Sequence, residues 1–513
     1  MKHLARSTMI VAFFFGVDKI LGFIRQTLVA RQFSLSYELD VFNAANNIPD
    51  LLSALISGGA LGVALIPVLS EYLEQKGHKD AWDLFSQILN LAFLVTAAIS
   101  IILALVAPWF VDKIIVPGFP QEQKALTVEL MRLDLIAIII FSISGLIMAG
   151  LQANQHFLLP ALAPGLYNIG QIFGATILSP QNGYQIGPLT LPAFGFGIHG
   201  LVYGVIIGAL LHLIIQVPGL LKFQFKWTPA IQLSHPGVRT VLSLMGPRVL
   251  TMFFIQLFFI VRDNLASGLG EGSVTALNLG WFIMQVPETL IGSAVAIALL
   301  PTISEIYARG DTKAFTKTVN LSIRVILALT IPIAIVLAIG IKPLVEIAFG
   351  FDEQGTQMVV TATRLYLLGL CGHSLLEIGA RSFYAQQNAK IPLFAAALNS
   401  LAYIVGANFL SRSLGYAGIA LTNSIVFTLE ALLLLYLLTR KYPGIFNLKG
   451  TLLRLIPAVA LSSGITYYAL QLEFNLPLWL LSLAGMGFGL LLSLALMYPE
   501  IRNLIRWETK KAD

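Results

Sequence analysis

Fourteen apolar runs, each long enough to cross a bilayer, recur along this chain at about 7–33, 38–66, 81–111, 126–153, 159–179, 193–218, 240–266, 273–300, 314–341, 357–385, 390–411, 415–438, 451–471 and 477–499. A hydrocarbon core of ~30 Å takes roughly 20 helical residues. In lipid every backbone N–H and C=O must be satisfied within the protein, which leaves helices or a closed barrel. Uninterrupted runs of this length do not suit the short alternating strands of a barrel. The expected fold is therefore all-α, a polytopic membrane protein of about 14 transmembrane helices. Only 11% of the 513 residues are charged and the mean hydropathy is +0.81, against ~25% charged in soluble domains.

Several function classes drop out at once. The net charge of +6 is dispersed among apolar runs and forms no basic face for nucleic acid. One cysteine, Cys371, makes neither a disulfide framework nor a cysteine metal site, and the seven histidines form no HExxH pair. No nucleophile–base pattern is present, so an enzyme is not expected. Gly195-Phe196-Gly197-Ile198-His199-Gly200 matches a dinucleotide-loop pattern, but it opens an apolar run without a βαβ context and reads as a turn or helix packing. Lys2 and Arg6 before the first run resemble a secretion signal, yet the run continues through charged residues without a small-residue cleavage site and reads as a retained first helix.

Lys and Arg set the orientation. With the N-terminus placed in the cytoplasm, twenty of the 32 basic residues fall at inner loops and ends, among them Lys76, Lys79, Lys222, Lys226, Arg506, Lys510 and Lys511. Five fall outside, and seven (Lys19, Arg25, Arg132, Arg248, Arg262, Arg324 and Arg364) lie within or at the ends of the runs. Both termini are thus expected on the cytoplasmic side.

An internal repeat emerges next. Ala64-Leu65-Ile66-Pro67-Val68-Leu69-Ser70-Glu71 returns as Ala298-Leu299-Leu300-Pro301-Thr302-Ile303-Ser304-Glu305, an offset of 234. Arg132 precedes Pro160 by 28 residues, as Arg364 precedes Pro392, and Ala153-Asn154-Gln155 is echoed by Ala385-Gln386-Gln387. Asn47-Ile48-Pro49-Asp50 has a looser echo in Gln285-Val286-Pro287-Glu288. Each repeat holds six spans, an even number, so the two share one orientation, as in transporters with parallel repeats. This predicts an N-lobe at 1–220, a C-lobe at 235–440 and a C-terminal helix pair at 451–499, with a cavity between the lobes.

The most informative residues break the apolar rule. An ionised side chain at bilayer depth costs roughly 2.5–3.5 kcal/mol even on lenient scales. Asp18, Gly22 and Arg25 fall on one helix face with Lys19 at its edge. Asp40, Asn43, Asn47 and Asp50 form a second stripe, followed by Ser57-Gly58-Gly59 and Gly62, which loosen the helix. Such groups make sense facing a wet cavity, and an arginine fork beside a lysine suits a phosphate. The bland alternatives are an interhelical ion-pair network for Asp18, Lys19 and Arg25, and helix-end positions for Asp40. Arg262 and Asp263 read either as a local ion pair or, at Asp263, as a carboxylate for a coupling ion. His373, Glu377 and Arg381, spaced four apart, read as a structural helical pair. Arg132 and Arg364 read as snorkelling to headgroups.

The motifs Leu21-Gly22-Phe23-Ile24-Arg25, Val29-Ala30-Arg31, Asp40-Val41-Phe42, Ile48-Pro49-Asp50-Leu51-Leu52 and Ile66-Pro67-Val68-Leu69-Ser70-Glu71-Tyr72 resemble the opening signature of the MurJ/MviN family. Gly272-Ser273-Val274-Thr275-Ala276-Leu277-Asn278, Leu300-Pro301-Thr302-Ile303-Ser304 and Ser382-Phe383-Tyr384-Ala385 resemble its second-lobe motifs, so the similarity spans roughly 1–440. The resemblance implies a lipid II flippase of the bacterial cytoplasmic membrane. Such a protein moves an undecaprenyl-pyrophosphate-linked peptidoglycan precursor from the cytoplasmic to the outer leaflet by alternating access. The last two helices would hold the lipid tail. The polar stripes and the resemblance together give a substrate site at Asp18, Lys19, Arg25, Asp40, Asn47, Asp50 and Ser53, of which Lys19, Arg25 and Asp40 stand at family positions, and the resemblance implies a coupling-ion site at Asp263 and Asn423. No cofactor is implied; Na+ or the membrane potential would supply the driving force. The partners are then membrane lipids and the lipid-linked pyrophosphate substrate, with the protein a monomer. Lys19 replaces a family arginine, Asp18 a serine and Gln26 an aspartate, while Ser53 and Phe282 stand where the family has cavity arginines. The alternative is a flippase of another lipid-linked oligosaccharide, or a small-molecule exporter of the same superfamily.

Overall fold

The computed structural model describes residues 2–57, 60–472, 475–500 and 502. Gly58 and Gly59, expected to loosen the second span, lie outside the described residues, as do Arg506, Lys510 and Lys511. Contacts divide the chain into two compact units, Met1–Gly272 and Ser273–Asp513.

The first unit contains α1 (Lys2–Phe33), α2 (Tyr37–Ala45), α3 (Asn47–Leu52), α4 (Ala60–Gln75), α5 (His78–Phe110), α6 (Gln121–Ala153), α7 (Leu158–Phe173), α8 (Ile198–Ile214), α9 (Val217–Lys222) and α10 (Pro236–Ala266). A two-stranded hairpin, Gln185–Ile186 against Leu189–Thr190, decorates the loop before α8. α1 packs on α7, α7 on α8, and α6 on α4, α5 and α8. α7 and α8 approach closely because glycines meet there: a Cβ on Gly170 would fall 2.3 Å from the Cα of Gly208. By packing, α10 belongs with α3, α4 and α5, whereas the sequence repeat begins its second copy with the same helix.

The second span is built in pieces. Ser36 caps α2 by accepting the Leu39 N–H at 3.3 Å, α3 holds Pro49 and Asp50, and a π-helical turn follows at Ser53–Ser57. The second unit shows the same break at the echoed motif. There α11 (Ser273–Pro287) runs into a π-helical turn at Glu288–Ser293 before α12 (Ala294–Ala308). π-helical turns strand backbone groups and open the side-chain wall, and they gather at functional sites.

The rest of the second unit comprises α13 (Thr312–Phe349), α14 (Glu353–Leu368), α15 (Leu370–Tyr384), α16 (Lys390–Leu414), α17 (Tyr416–Lys441), α18 (Lys449–Ala469) and α19 (Leu478–Leu496). Its core joins Phe315, Val319 and Ile323 of α13 to Ile378 and Phe383 of α15 and Leu434 of α17. The pair α18 and α19 packs on α13, where the Ser482 hydroxyl donates to the Gly340 carbonyl at 2.5 Å. Phe394, Val405 and Phe409 on α16 are more than 70% exposed, an outward apolar face that suits lipid and not water.

Each of the fourteen expected segments is helical, and ten helices meet a length-and-apolarity measure for crossing a membrane, eleven if the bent pair α14 and α15 forms one span. Three expected spans fall short of it among the described residues. α1 beyond its first turns carries Asp18, Lys19, Arg25 and Arg31; 38–66 is broken; α7 carries Asn168 and Gln171. All three lie in the first unit.

Local geometry repeats between the units. Gln155 and Gln387, 232 residues apart, both take left-handed backbone, with φ of 57° and 56°. The next amides close the same turn: His156 N–H to Leu151 O at 2.9 Å, and Asn388 N–H to Phe383 O at 3.0 Å. Arg132 donates from Nε to the Ala104 carbonyl at 2.9 Å, and Arg364 to Ala338 at 2.7 Å. The two arginines thus tie their helices to the preceding span as well as reaching outward.

Candidate functional site

The polar groups of the first unit fall into two sets. The first lies on α1, α3, α6 and α7. Asp18 accepts a hydrogen bond from the Asn168 amide at 2.8 Å. Gly22, one turn on, faces that amide, with an added Cβ only 3.9 Å from it. Arg25 completes this face and is half-buried. Its charge acts on Asp50 of α3 and on Tyr167 of α7. Asp50 is solvent-exposed, whereas its neighbours Ile48, Pro49 and Leu52 on α3 are buried. An exposed carboxylate within a membrane span calls for water beside it, and the wet space so implied next to Asp50 and Arg25 is the chamber of this site. Ser53, half-buried, starts the π-helical turn below it, and Gln256 of α10 reaches the Asp50 carbonyl at 3.3 Å. Lys19 is exposed at the edge of the α1 face.

The second set is sealed. Asn47 donates to Asp263 Oδ2 at 2.7 Å and Arg262 Nε donates to Asp263 Oδ1 at 2.6 Å. Asp263 is fully buried, and the Arg262 guanidinium lies 5.2 Å from the Phe259 ring centroid. Both Asp263 oxygens are therefore engaged by protein donors. Asp40 is 1% exposed and accepts the Gly272 N–H at 2.7 Å. Gly272 itself needs φ +80°, and its neighbour Glu271 accepts the Tyr37 N–H at 2.9 Å. Asp40 thus fastens the turn after α10 to the start of α2. Of the seven residues expected to meet substrate, Asp18, Arg25 and Asp50 belong to the open set with Lys19 and Ser53 beside it, while Asn47 and Asp40 are packed into sealed contacts.

In the second unit, Asn423 Oδ1 accepts from His373 Nε2 at 3.1 Å, and the His373 ring stacks on Phe427 at 4.1 Å. The i, i+4, i+8 row on α15 splits accordingly: Glu377 pairs with Arg381 at 2.8 Å, and His373 turns to Asn423. Glu288, at the echoed π-helical turn, accepts from Ser293 at 3.3 Å. Phe282 is half-buried. An apolar groove of about 520 Å3 runs along α13, α14 and α18, bounded by Ile335, Ile339, Leu368 and Tyr467, with Arg364 in its wall.

One residue escaped the sequence reading. Asp134 on α6 is 1% exposed, its two carboxyl oxygens are buried without a hydrogen-bond partner among the described residues, and it interacts with Asp50 and Tyr167. The available signal was an acid inside an apolar run, two residues after Arg132 and five after Glu129. The GxGxxG stretch behaves as expected of a turn: Gly195 and Gly197 take φ of 71° and 55°, and Gly200 packs against the Ser179 backbone.

Two many-helix units with matching broken spans, and cations and carboxylates gathered at depth, define a polytopic membrane transporter. The chain belongs to the family described as "Lipid II flippase MurJ", whose model matches residues 29–484. Among its relatives, a lipid II flippase MurJ of Burkholderia cenocepacia is 31% identical over 84% of this chain and 83% of that protein. A probable lipid II flippase MurJ of Buchnera aphidicola is 29% identical over 82% of this chain and 80% of that one. A solved MurJ in an inward closed conformation shares the fold with a TM-score of 0.78 over 97% of this chain, at 24% identity. An inward-facing multidrug MATE transporter of the MOP superfamily aligns at 0.70 over 83%, at 13% identity.

Proposed function

We propose that this protein is a lipid II flippase, a transporter and not an enzyme. It moves an undecaprenyl-pyrophosphate-linked peptidoglycan precursor from the cytoplasmic to the outer leaflet. The observation that carries the reading is the Arg25 cation turned toward a wet chamber at bilayer depth, with exposed Lys19 a turn and a half away on the same helix. A pyrophosphate supplies the anionic oxygens that an arginine fork and a lysine point charge grip. The sugar and peptide would meet Asp18, Asn168, Asp50 and Ser53, which offer acceptors and hydroxyls. The groove along α13, α14 and α18 is apolar and of a size to hold part of a polyprenyl chain.

The protein is multi-pass in the bacterial inner membrane, with both termini in the cytoplasm, and works as a monomer. Transport is driven by Na+ or by the membrane potential. Asp263 is the carboxylate that would exchange its Arg262 and Asn47 donors for an ion in another state, with Asn423 assigned to the same role.

A second reading has one specific observation behind it. Ser53 brings no cation to the chamber, and Phe282 none to the eighth span, which suits a head carrying less charge than a pyrophosphate, as on another lipid-linked oligosaccharide or a small exported molecule. Rescue of cells depleted of their own lipid II flippase separates the two. The first reading expects rescue by the wild type and none by Arg25→Ala at equal protein level. Absence of rescue, together with native mass spectra in which a different lipid-linked sugar co-purifies, would favour the second.

A further inference from the structure

We infer that Asp134 is a proton-carrying site of the first unit, neutral in the arrangement seen here, where protein shuts it off from the water that reaches Asp50, and ionised when that water reaches it. Three observations meet at this residue. It sits in the interior of α6, a 33-residue span, between Leu133 and Leu135. Both carboxyl oxygens are closed to a water-sized probe and have no hydrogen-bond partner among the described residues. Its neighbour in charge is another carboxylate, Asp50, which is itself exposed. An ionised carboxylate without donors, water or a facing cation is not sustained in such a place; the group takes up a proton instead.

On α6 itself Arg132 turns to the Ala104 carbonyl, and among the described residues the elements packed against α6 bring no cation to Asp134. From α3 comes Asp50, and from α7 the Tyr167 phenol, which acts on Asp134 and is shared with Arg25 of α1. Asp40 of α2 is bonded to Gly272, and His212 of α8 to Ser144. Asp83 of α5 is engaged by Thr228 and Gln87. Glu71, Tyr72 and Glu74 occupy the last turns of α4, and Lys222 the end of α9. At the opposite end of the unit, Asp112 is taken by Lys113 and Lys124. A metal ion fits less well than a proton, since no cluster of three His, Cys, Asp or Glu side chains occurs among the described residues.

The placement couples the proton to the chamber. Asp134 stands behind Asp50, which faces Arg25, so an anionic head arriving at Arg25 adds negative charge on the same side and holds the proton on Asp134. Water reaching Asp134 itself while the head is absent favours Asp134–COOH giving its proton to water as COO− and H3O+. This coupling step rests on the flippase reading; the protonation itself does not.

The test uses purified full-length protein in detergent and infrared difference spectra at neutral pH. Wild type minus Asp134→Asn should show the carbonyl stretch of a protonated carboxyl, and wild type minus Asp134→Leu the same band. Wild type minus Asp50→Asn should lack it. Both Asp134 variants should keep the wild-type unfolding midpoint, because a neutral group replaces a neutral group. A carboxylate doublet in the Asp134 difference spectra, or no difference at all, overturns the assignment. In proteoliposomes with an imposed pH gradient, Asp134→Asn should abolish the response of lipid II transport to that gradient; a variant that responds as the wild type does overturns the coupling. If the wild type moves no lipid II under any gradient, the flippase reading fails while the infrared result still decides the protonation.

Discussion

At the scale of single residues, the two sets of polar side chains carry different expectations. Arg25→Ala removes the cation that faces Asp50 and Tyr167. A charge-assisted hydrogen bond is worth about 1.5–3 kcal/mol, or about 10- to 150-fold in binding. Affinity for the lipid-linked substrate, read by titration in native mass spectra, should fall by that factor; Arg25→Lys should lose less because charge survives without the fork. Asn47→Ala acts on stability. It strips a donor from Asp263, a carboxylate sealed from water, and should cost roughly 1–3 kcal/mol, seen as a lower midpoint for thermal unfolding in detergent. Charges inside apolar runs are conspicuous, so Asp18, Lys19, Arg25 and Asp50 were legible without coordinates. Whether such a charge meets water or a protein donor was not. Asp40 and Asp50 sit on one stripe of sequence, yet Asp40 closes on the Gly272 amide while Asp50 stays wet. That outcome depends on the turn after α10, more than 200 residues away.

At the scale of helices, close packing and charge clamps hold the site in place. Asn168 reaches Asp18 because α7 is pressed between α1 and α8, and it can be pressed there because Gly170 and Gly208 leave room for backbone contact. Gly170→Leu should force these helices apart, with overpacking costs of about 1–3 kcal/mol or more. Unfolding in detergent would report the lower stability, and cysteine cross-linking across α1 and α7 the altered spacing. In the second unit Glu500 clamps the last helices to α13. It accepts from Thr451 at 2.8 Å, Arg324 at 3.0 Å and Arg454 at 2.8 Å. Burial alone would push its pKa up, but these hydrogen bonds and the two guanidinium charges outweigh burial and hold the carboxyl below its usual range. A depressed value stabilises the fold above the unfolded-state value, and the gain is lost as pH falls through the folded value. Acidification below the ordinary glutamate range should therefore lower the unfolding midpoint of the wild type more than that of Glu500→Gln. The broken second span was half legible: Ser57-Gly58-Gly59 and Gly62 announced a loosened helix, but the π-helical turn at Ser53–Ser57 lies where α6 and α10 pack around it.

For the molecule as a whole, topology is the property most open to test. Reporter fusions after Lys79, Lys222 and Lys441 should report the cytoplasm, and fusions after Lys113 and Arg412 the outer side. The reverse pattern would overturn the assigned orientation. Membrane insertion, helix number, orientation bias and the six-span repeat are written in periodicity and in the placement of Lys and Arg, because the bilayer acts on each segment separately and needs no knowledge of its neighbours. The repeat even carries its turn geometry, as the left-handed Gln155 and Gln387 demonstrate. Other properties arise only from packing. α10 joins the first unit by contact, Asp263 is enclosed by Asn47 and Arg262, and Asp134, next to a wet Asp50, has no hydrogen-bond partner among the described residues. Each of these turns on which side chains distant in sequence come within ~3 Å of one another, and a hydrogen bond is lost within about an ångström of that. Periodicity can assign a residue to a face; it cannot say what stands opposite.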